Sequence, residues 1–432
     1  MTTLTHEPVH LETHTPLTQS KTTCCIVGGG PAGAILALLL ARQGVHVTVL
    51  ESQPDFDRDF RADTFHPVIL EALDDIGLAE GLLQMPHSQV DSFRAFVGER
   101  ELAIGDFKRV KTKFPYITVL PQPRFLEYIV NASRQYSGYH LAMGARVTEL
   151  LEEEGRVVGV RYRTKEGFQD LRALVVIGSD GRFSMVRKLA GMVAQPLAPN
   201  IDLLWSRLPH VGTDPVSSGL VARLEQNSVV IMFDRLDYWQ IGTPIVSGSY
   251  ADLKKGPITA LHDKILRAYP FFQDRIHLIE SWHDVTLLSV ATSIVKKWYR
   301  PGLLLIGDAA HIMSPLGGIG INLAVQDAIE AANTLTAPLQ CGIVTEKDLA
   351  TVQRKRSLVT TIMQRLQVFG QKTALGAALT GAEIPTIPPN FGKILGLPII
   401  REIPPRAIGW SFFPARIRSE YHKSHAVAVE KQ

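Results

Sequence analysis

Apolar positions along the chain follow two rhythms. Residues 24–27 are continuously apolar and suit a short buried strand. A block of helix formers at 34–43 is stopped by Gly44, and 45–50 then alternates around His46 and Thr48 as a second strand. Helical spacing returns at 66–81, where Val68, Leu70, Leu73, Ile76 and Leu78 follow Pro67, and again in an amphipathic stretch at 123–136. Strand-like pieces fall at 93–97, 101–104, 116–120, 145–151, 157–163 and 174–177. From 201 to 246 four runs, 203–208, 220–224, 229–233 and 238–245, read as an antiparallel meander. The remainder reads as a helix at 258–268, strands at 285–294 and 303–306, and long helices at 319–335 and 347–369. A β-α-β opening joined to a meander predicts the α/β class, a Rossmann-like domain with an added antiparallel sheet.

Bulk properties narrow this picture. With 432 residues, two lobes are expected, and 45% hydrophobic against 20% charged residues is a globular composition. A net charge of +3 is too small to indicate nucleic acid, and no run reaches the ~18 apolar residues of a membrane span. Three cysteines, two of them adjacent, build no disulfide framework and suggest a reducing, cytoplasmic setting. Residues 1–21 read as a disordered tail: His6, His10 and His14 would share a helix face, but Pro8 and Pro16 oppose that helix. Residues 394–418 mix large apolar side chains with Arg401, Arg406, Arg416 and Arg418, as an interfacial membrane anchor would. Pro404, Pro405 and Pro414 favour instead a tail packed over a junction between lobes.

Three stretches carry chemistry. In the first, Gly28, Gly30 and Gly33 form G-x-G-x-x-G between strand and helix, with Pro31 and Ala32 in the gap and Glu51 about twenty residues on. Glycines there admit a pyrophosphate, the helix start offers free N–H groups, and an acidic side chain suits a ribose. The second ends a buried strand at Gly178-Ser179-Asp180-Gly181, before a helix bearing Arg187. A cofactor contact and an ordinary helix cap by Asp180 explain it equally well. The third, LLLIGDAAHIMSPLGGIGINLAVQDA at 303–328, ends a strand at Gly307-Asp308, where a carboxylate can bind polyol hydroxyls. Pro315, Gly317, Gly318, Ile319 and Gly320 then open a long helix at Asn322, placing N–H groups where an electron-rich ring could sit. His311 beside that loop reads as a proton carrier or, more simply, as a packed core residue.

Taken as a set, these stretches resemble the FAD-dependent aromatic hydroxylases of the p-hydroxybenzoate hydroxylase type, over roughly residues 22–369. The resemblance implies FAD, with NAD(P)H as co-substrate and without a second dinucleotide fingerprint. It places Gly28, Gly30, Gly33, Glu51, Arg61 and Arg124 at the cofactor, with Asp180-Gly181, Asp308 and the Pro315–Asn322 loop. Pro315 and Gly317 would lie beside the flavin ring. Ile319 stands where many relatives have Gln, so only backbone donors are expected there, and Ser179 for Ala is expected to be neutral. The implied division is 22–92, 122–198 and 299–370 for FAD, 93–121 and 199–298 for substrate, and 371–432 as an extension. The implied reaction is O₂-dependent hydroxylation of an aromatic, phenolic or polyketide-like molecule through a flavin hydroperoxide, with the cofactor doing the hard step and an aromatic or quinone-like small molecule as the partner. Trp205, Phe233, Trp239 and Gln240 lie on the meander that should roof the substrate, with Trp239 and Gln240 the expected substrate contacts, and alternation divides the four between its faces. A reductase on the same scaffold and a non-enzymatic FAD carrier are the alternatives.

Overall fold

A computed structural model describes residues 19–57, 64–197, 201–212, 214, 219–225, 228–235, 237–290, 292–372, 376 and 402–422. The three N-terminal histidines and Arg61 lie outside these residues. The first strand is longer than its apolar centre: Gln19–Val27 pairs in parallel with Gly167–Gly178, so residues 19–21, expected in the tail, are held opposite Asp170, Leu171 and Arg172. Cys24 and Cys25 are wholly buried in it as free thiols, and burial pushes both up, Cys25 to about 12.

The strand opens an eight-stranded sheet. Leu303–Leu305, Gly167–Gly178, Gln19–Val27, Val47–Glu51 and Tyr139–Met143 run side by side and parallel. Arg146–Glu153 and Arg156–Thr164 extend it as an antiparallel meander, and Tyr299–Arg300 flanks Leu303–Leu305. Tyr139–Met143 carries no clean apolar pattern and was not legible as a strand. Helix Pro31–Arg42 is buried almost all round because it is covered by helices Gln122–Ser133 and Gly320–Gln340. The expected helix at 66–81 is two, Pro67–Asp75 and Ala79–Leu83, separated by a turn through Gly77.

A seven-stranded sheet runs in the order Thr286–Val290, Ile201–Pro209, Tyr238–Val246, Ser228–Asp234, Leu220–Glu225, Ser92–Val97, Arg100–Asp106. The last three of the four expected runs form the antiparallel meander, but the first, Ile201–Pro209, pairs with Tyr238–Val246 and not with the run that follows it. Leu220–Glu225 pairs with Ser92–Val97 in parallel, because these strands come from distant parts of the chain and no hairpin dictates their sense. Helix Thr259–Ala268 covers one face of this sheet, with Leu261, Ile265 and Phe272 packed on Leu204, Val230, Met232 and Ile241. The single strand expected at 285–294 is divided between this sheet and a small one, Ser293–Val295.

Helix Glu346–Gly370 buries a polar row. Gln353 caps Trp298 N–H and Lys296 O, Gln364 donates to Ser293 O and Ile312 O, and Gln367 both accepts from Ser314 N–H and donates to Ser314 O. These side chains add hydrogen bonds to the backbone of the small sheet and of the segments flanking it. The C-terminal segment 402–422 packs against both sheets' layers, through helix Ile403–Trp410 and then Tyr421, whose carbonyl accepts from Arg42 Nε.

Candidate functional site

Strand register decides where the three sequence stretches meet. Val27 is paired with Leu50 and Gly178, and Gly178 with Leu305, so their parallel strands end together at one edge. Gly28, the Gly178–Gly181 turn, Glu51 and Gly307-Asp308 therefore converge at the carboxyl ends of adjacent strands.

Close packing explains the glycines. Gly28 has φ +104, and a Cβ on it would lie 2.5 Å from Ser179 O. A Cβ on Gly33 would collide with Gly28 O. At Gly30 it would meet nothing within 4 Å, so helix Pro31–Arg42 starts facing open space, with Pro31 at its first position and Ala32 buried behind. That helix has no side-chain cap and no acidic residue in its first turn. An uncapped, uncharged helix start beside open space fits a pyrophosphate. Glu51 is buried; Gly29 N–H donates to its Oε2 at 2.8 Å and Gln53 N–H to its Oε1 at 2.9 Å, which fixes the carboxylate beside the glycine turn.

Asp180 accepts from Ser184 Oγ, Met185 N–H and Val186 N–H, so its carboxylate is committed to starting helix Met185–Leu189, the capping alternative. Burial pushes this carboxyl up, against the opposing pull of those donors. The hydroxyl of Ser179, expected to be a neutral replacement for Ala, donates to Val27 O and Gly28 O, contacts that alanine could not make. Arg187, buried, donates to Ala309 O at 2.9 Å and Arg182 O at 2.7 Å and joins the second turn to the third.

Asp308 is half-buried at the strand mouth. Below it lies wholly buried Asp327, which accepts from Gly307 N–H, His311 Nε2–H and Arg356 Nε–H at 3.0, 2.5 and 2.8 Å. Burial pushes Asp327 up, but His311 and Arg356 outweigh it and hold the carboxyl below its ordinary value. His311 is packed on Trp298 at 4.9 Å, the core role of the two.

The loop beyond runs through Pro315 and a tight turn at 316–318 into helix Gly320–Gln340, which also starts without a side-chain cap. Gly318 has φ +64, and a Cβ there would strike Thr64 Oγ1. Asn322 is used structurally: it accepts from His66 N–H and donates to Gly318 O and Thr64 O, tying the loop to strand Thr64–Phe65. Ile319 packs with Met313, Leu323, Val359 and Met363, so its side chain turns into the protein. Arg124 is exposed in the first turn of helix Gln122–Ser133, on a helix that packs against Pro31–Arg42, and no hydrogen bond or ion pair of its side chain occurs among the described residues. His66, missed in the sequence, lies under the loop, wholly buried.

The faces of the seven-stranded sheet are settled by cross-strand pairs. Phe93, Leu220, Phe233, Gln240 and Arg207 form one row. Its members Phe93 and Leu220 pack on Ile117 and Val119, and Val119 pairs with Thr64 beside Gly318. Gln240 therefore shares the face turned to the glycine loop with Phe233 and Trp205, whose ring lies over Gly242. Arg235 donates to Gln240 Oε1. Trp239 does not belong here, a correction to its expected substrate role. Alternation points it to the opposite face, where it packs on Phe271 and Phe272 and donates to Asp214 Oδ2 at 2.7 Å. Among the described residues no His, Cys, Asp and Glu group could hold a metal ion.

A sheet edge with an open helix start and a glycine loop facing a second sheet defines a dinucleotide-binding flavoprotein. The chain belongs to the family described as "FAD binding domain", whose family model matches residues 21–366. It is 33% identical over 371 residues to 6-methylpretetramide 4-monooxygenase of Streptomyces rimosus, spanning 85% of this chain and 88% of that protein. Para-nitrophenol 4-monooxygenase of Pseudomonas sp. strain WBC-3 is 26% identical, spanning 74% and 79%. Among solved structures, p-nitrophenol 4-monooxygenase PnpA from Pseudomonas putida DLL-E4 superposes with a TM-score of 0.73 at 22% identity, covering 90% of this chain and 97% of that one. The fold is that of the aromatic hydroxylases, and the protein is an FAD-dependent monooxygenase.

Proposed function

We propose that the protein hydroxylates a phenolic, fused-ring aromatic of polyketide type, using NAD(P)H and O₂. The observation that carries this reading is the convergence of three loops at one strand edge, opposite a sheet face bearing Trp205, Phe233 and Gln240. The name of the 33%-identical relative, 6-methylpretetramide 4-monooxygenase, supports the substrate class.

Gly30 and the start of helix Pro31–Arg42 would receive the pyrophosphate, Glu51 a ribose and Asp308 the ribityl hydroxyls. The backbone of Gly317–Gly320 and the start of helix Gly320–Gln340 would direct N–H groups at the ring. Arg124 would approach the cofactor from its exposed position, and Asp180-Gly181 would contribute by shaping the turn beneath Gly28. Bound FAD supplies the redox chemistry, accepting hydride from NAD(P)H and activating O₂. Trp205 and Phe233 would exclude water and stack the substrate, while Gln240, oriented by Arg235, would hold a polar substituent. The seven-stranded sheet would thus be the substrate unit and the eight-stranded sheet the FAD unit. Free buried thiols support a cytoplasmic setting, and among the described residues no helix is long and apolar enough to cross a membrane.

The test is single-turnover hydroxylation under ¹⁸O₂ with a panel of polycyclic phenols and either nicotinamide cofactor. One labelled oxygen atom in the product is expected. Product formed equally well without O₂, carrying no label, would falsify the reading and leave a reductase.

A further inference from the structure

His66 joins the glycine loop to a part of the chain beyond the family match. Its backbone N–H donates to Asn322 Oδ1 at 2.8 Å, and Asn322 Nδ2 donates to Gly318 O at 2.8 Å. On its other side, His66 Nδ1 lies 2.8 Å from Ile408 O, in helix Ile403–Trp410. A carbonyl only accepts, so Nδ1 carries the proton and the tautomer is set by the C-terminal helix. Nε2 is then a bare acceptor; it has no hydrogen-bond partner among the described residues and lies 3.4 Å from where a Gly318 Cβ would be.

The helix that sets this ring is itself firmly seated. Ile408 packs with Phe93, Phe107 and Leu220, the side of the seven-stranded sheet turned to the loop. Gly409 passes so close that a Cβ would lie 3.3 Å from Phe107 and 3.5 Å from Pro67. Trp410 Nε1–H donates to Glu71 Oε2 at 2.9 Å, and Gln326, on helix Gly320–Gln340, accepts from Ser411 Oγ and Ala415 N–H.

We propose that His66 is a positioning residue through which the C-terminal helix Ile403–Trp410 holds the Gly317–Asn322 turn in its cofactor-receiving shape. The consequence for FAD rests on the flavoprotein reading; the mechanical coupling does not. Removing the imidazole strips Ile408 O of its donor; the backbone N–H to Asn322 remains, but residue 66 is no longer held from the helix side, so the turn it carries should open more often. Asparagine keeps a donor near the Nδ1 position and should restore the tie.

The experiment compares full-length wild type with His66→Leu, His66→Asn and Gly409→Val, the last displacing the helix without touching His66. Amide hydrogen exchange is followed at 316–322 and, as a reference, at 24–27, together with the FAD dissociation constant. The His66→Leu and Gly409→Val variants should exchange about tenfold faster at 316–322 and bind FAD about tenfold more weakly, with 24–27 unchanged and His66→Asn near wild type. Wild-type exchange at 316–322 in both Gly409→Val and His66→Leu would overturn the coupling. So would an asparagine variant as fast as the leucine one. If the leucine variant does not fold, the Gly409→Val and asparagine variants decide. If wild type binds no FAD, the flavoprotein reading fails while exchange still decides the coupling.

Discussion

Single residues at the strand edge have separable duties. Gly30→Ala should fold normally, since its Cβ meets nothing within 4 Å, yet lose FAD because the methyl group enters the space at the helix start. Gly33→Ala should fail differently: its Cβ collides with Gly28 O, a backbone atom that cannot swing aside, and overpacking of this kind costs on the order of 1–3 kcal/mol or more. Flavin absorbance per protein and the thermal midpoint separate the two; a flavin-replete Gly30→Ala variant would refute the phosphate placement. His66 gives a pH signature. Burial, opposed by the Ile408 hydrogen bond, lowers its pKa from 6.5 to about 4, so folding favours the neutral ring. Its contribution is fully present above pH 6.5 and is lost as pH falls toward 4, because the unfolded chain takes up the proton first. The loss is on the order of 3 kcal/mol. Urea unfolding over that range should show wild type losing more stability than His66→Asn, and parallel losses would count against it.

At the scale of elements, Trp239 replaces one expectation with another. Facing the covering helices rather than the loop, its truncation to alanine should cost about 3–5 kcal/mol of stability and leave the ratio of peroxide released to product formed unchanged. Increased peroxide at full stability would return the side chain to the substrate. Why Trp239 was misplaced is physical: period two assigns neighbours such as Trp239 and Gln240 to opposite faces, but which face is inward depends on what packs there. The glycine motifs, by contrast, were legible because their backbone demands are local. Asp180's helix-starting role was legible only as one of two equal possibilities. The polar inner row of helix Glu346–Gly370 was not legible at all. Gln364 and Gln367 look like a solvated face until the carbonyls of Ser293, Ile312 and Ser314 come into position opposite them. His66 was hidden for the same reason, since its partners Asn322 and Ile408 are far away in sequence.

Across the whole molecule, the two sheets are woven from alternating lengths of chain. Ser92–Val97 waits for Leu220–Glu225, with all of 98–219 between them, and Gly167–Gly178 waits for Leu303–Leu305. During synthesis, then, neither sheet can be completed before the other is well under way, and the Gly307-Asp308 edge emerges only after the strands of both sheets. Non-local pairing of this kind folds slowly. The nascent chain has no finished place for its cofactor until the ribosome has passed helix Gly320–Gln340. FAD should therefore be retained only once the chain has grown beyond that helix. Stalled chains ending near residue 300 should leave the flavin in solution, and chains that include the segment 402–422 should retain it.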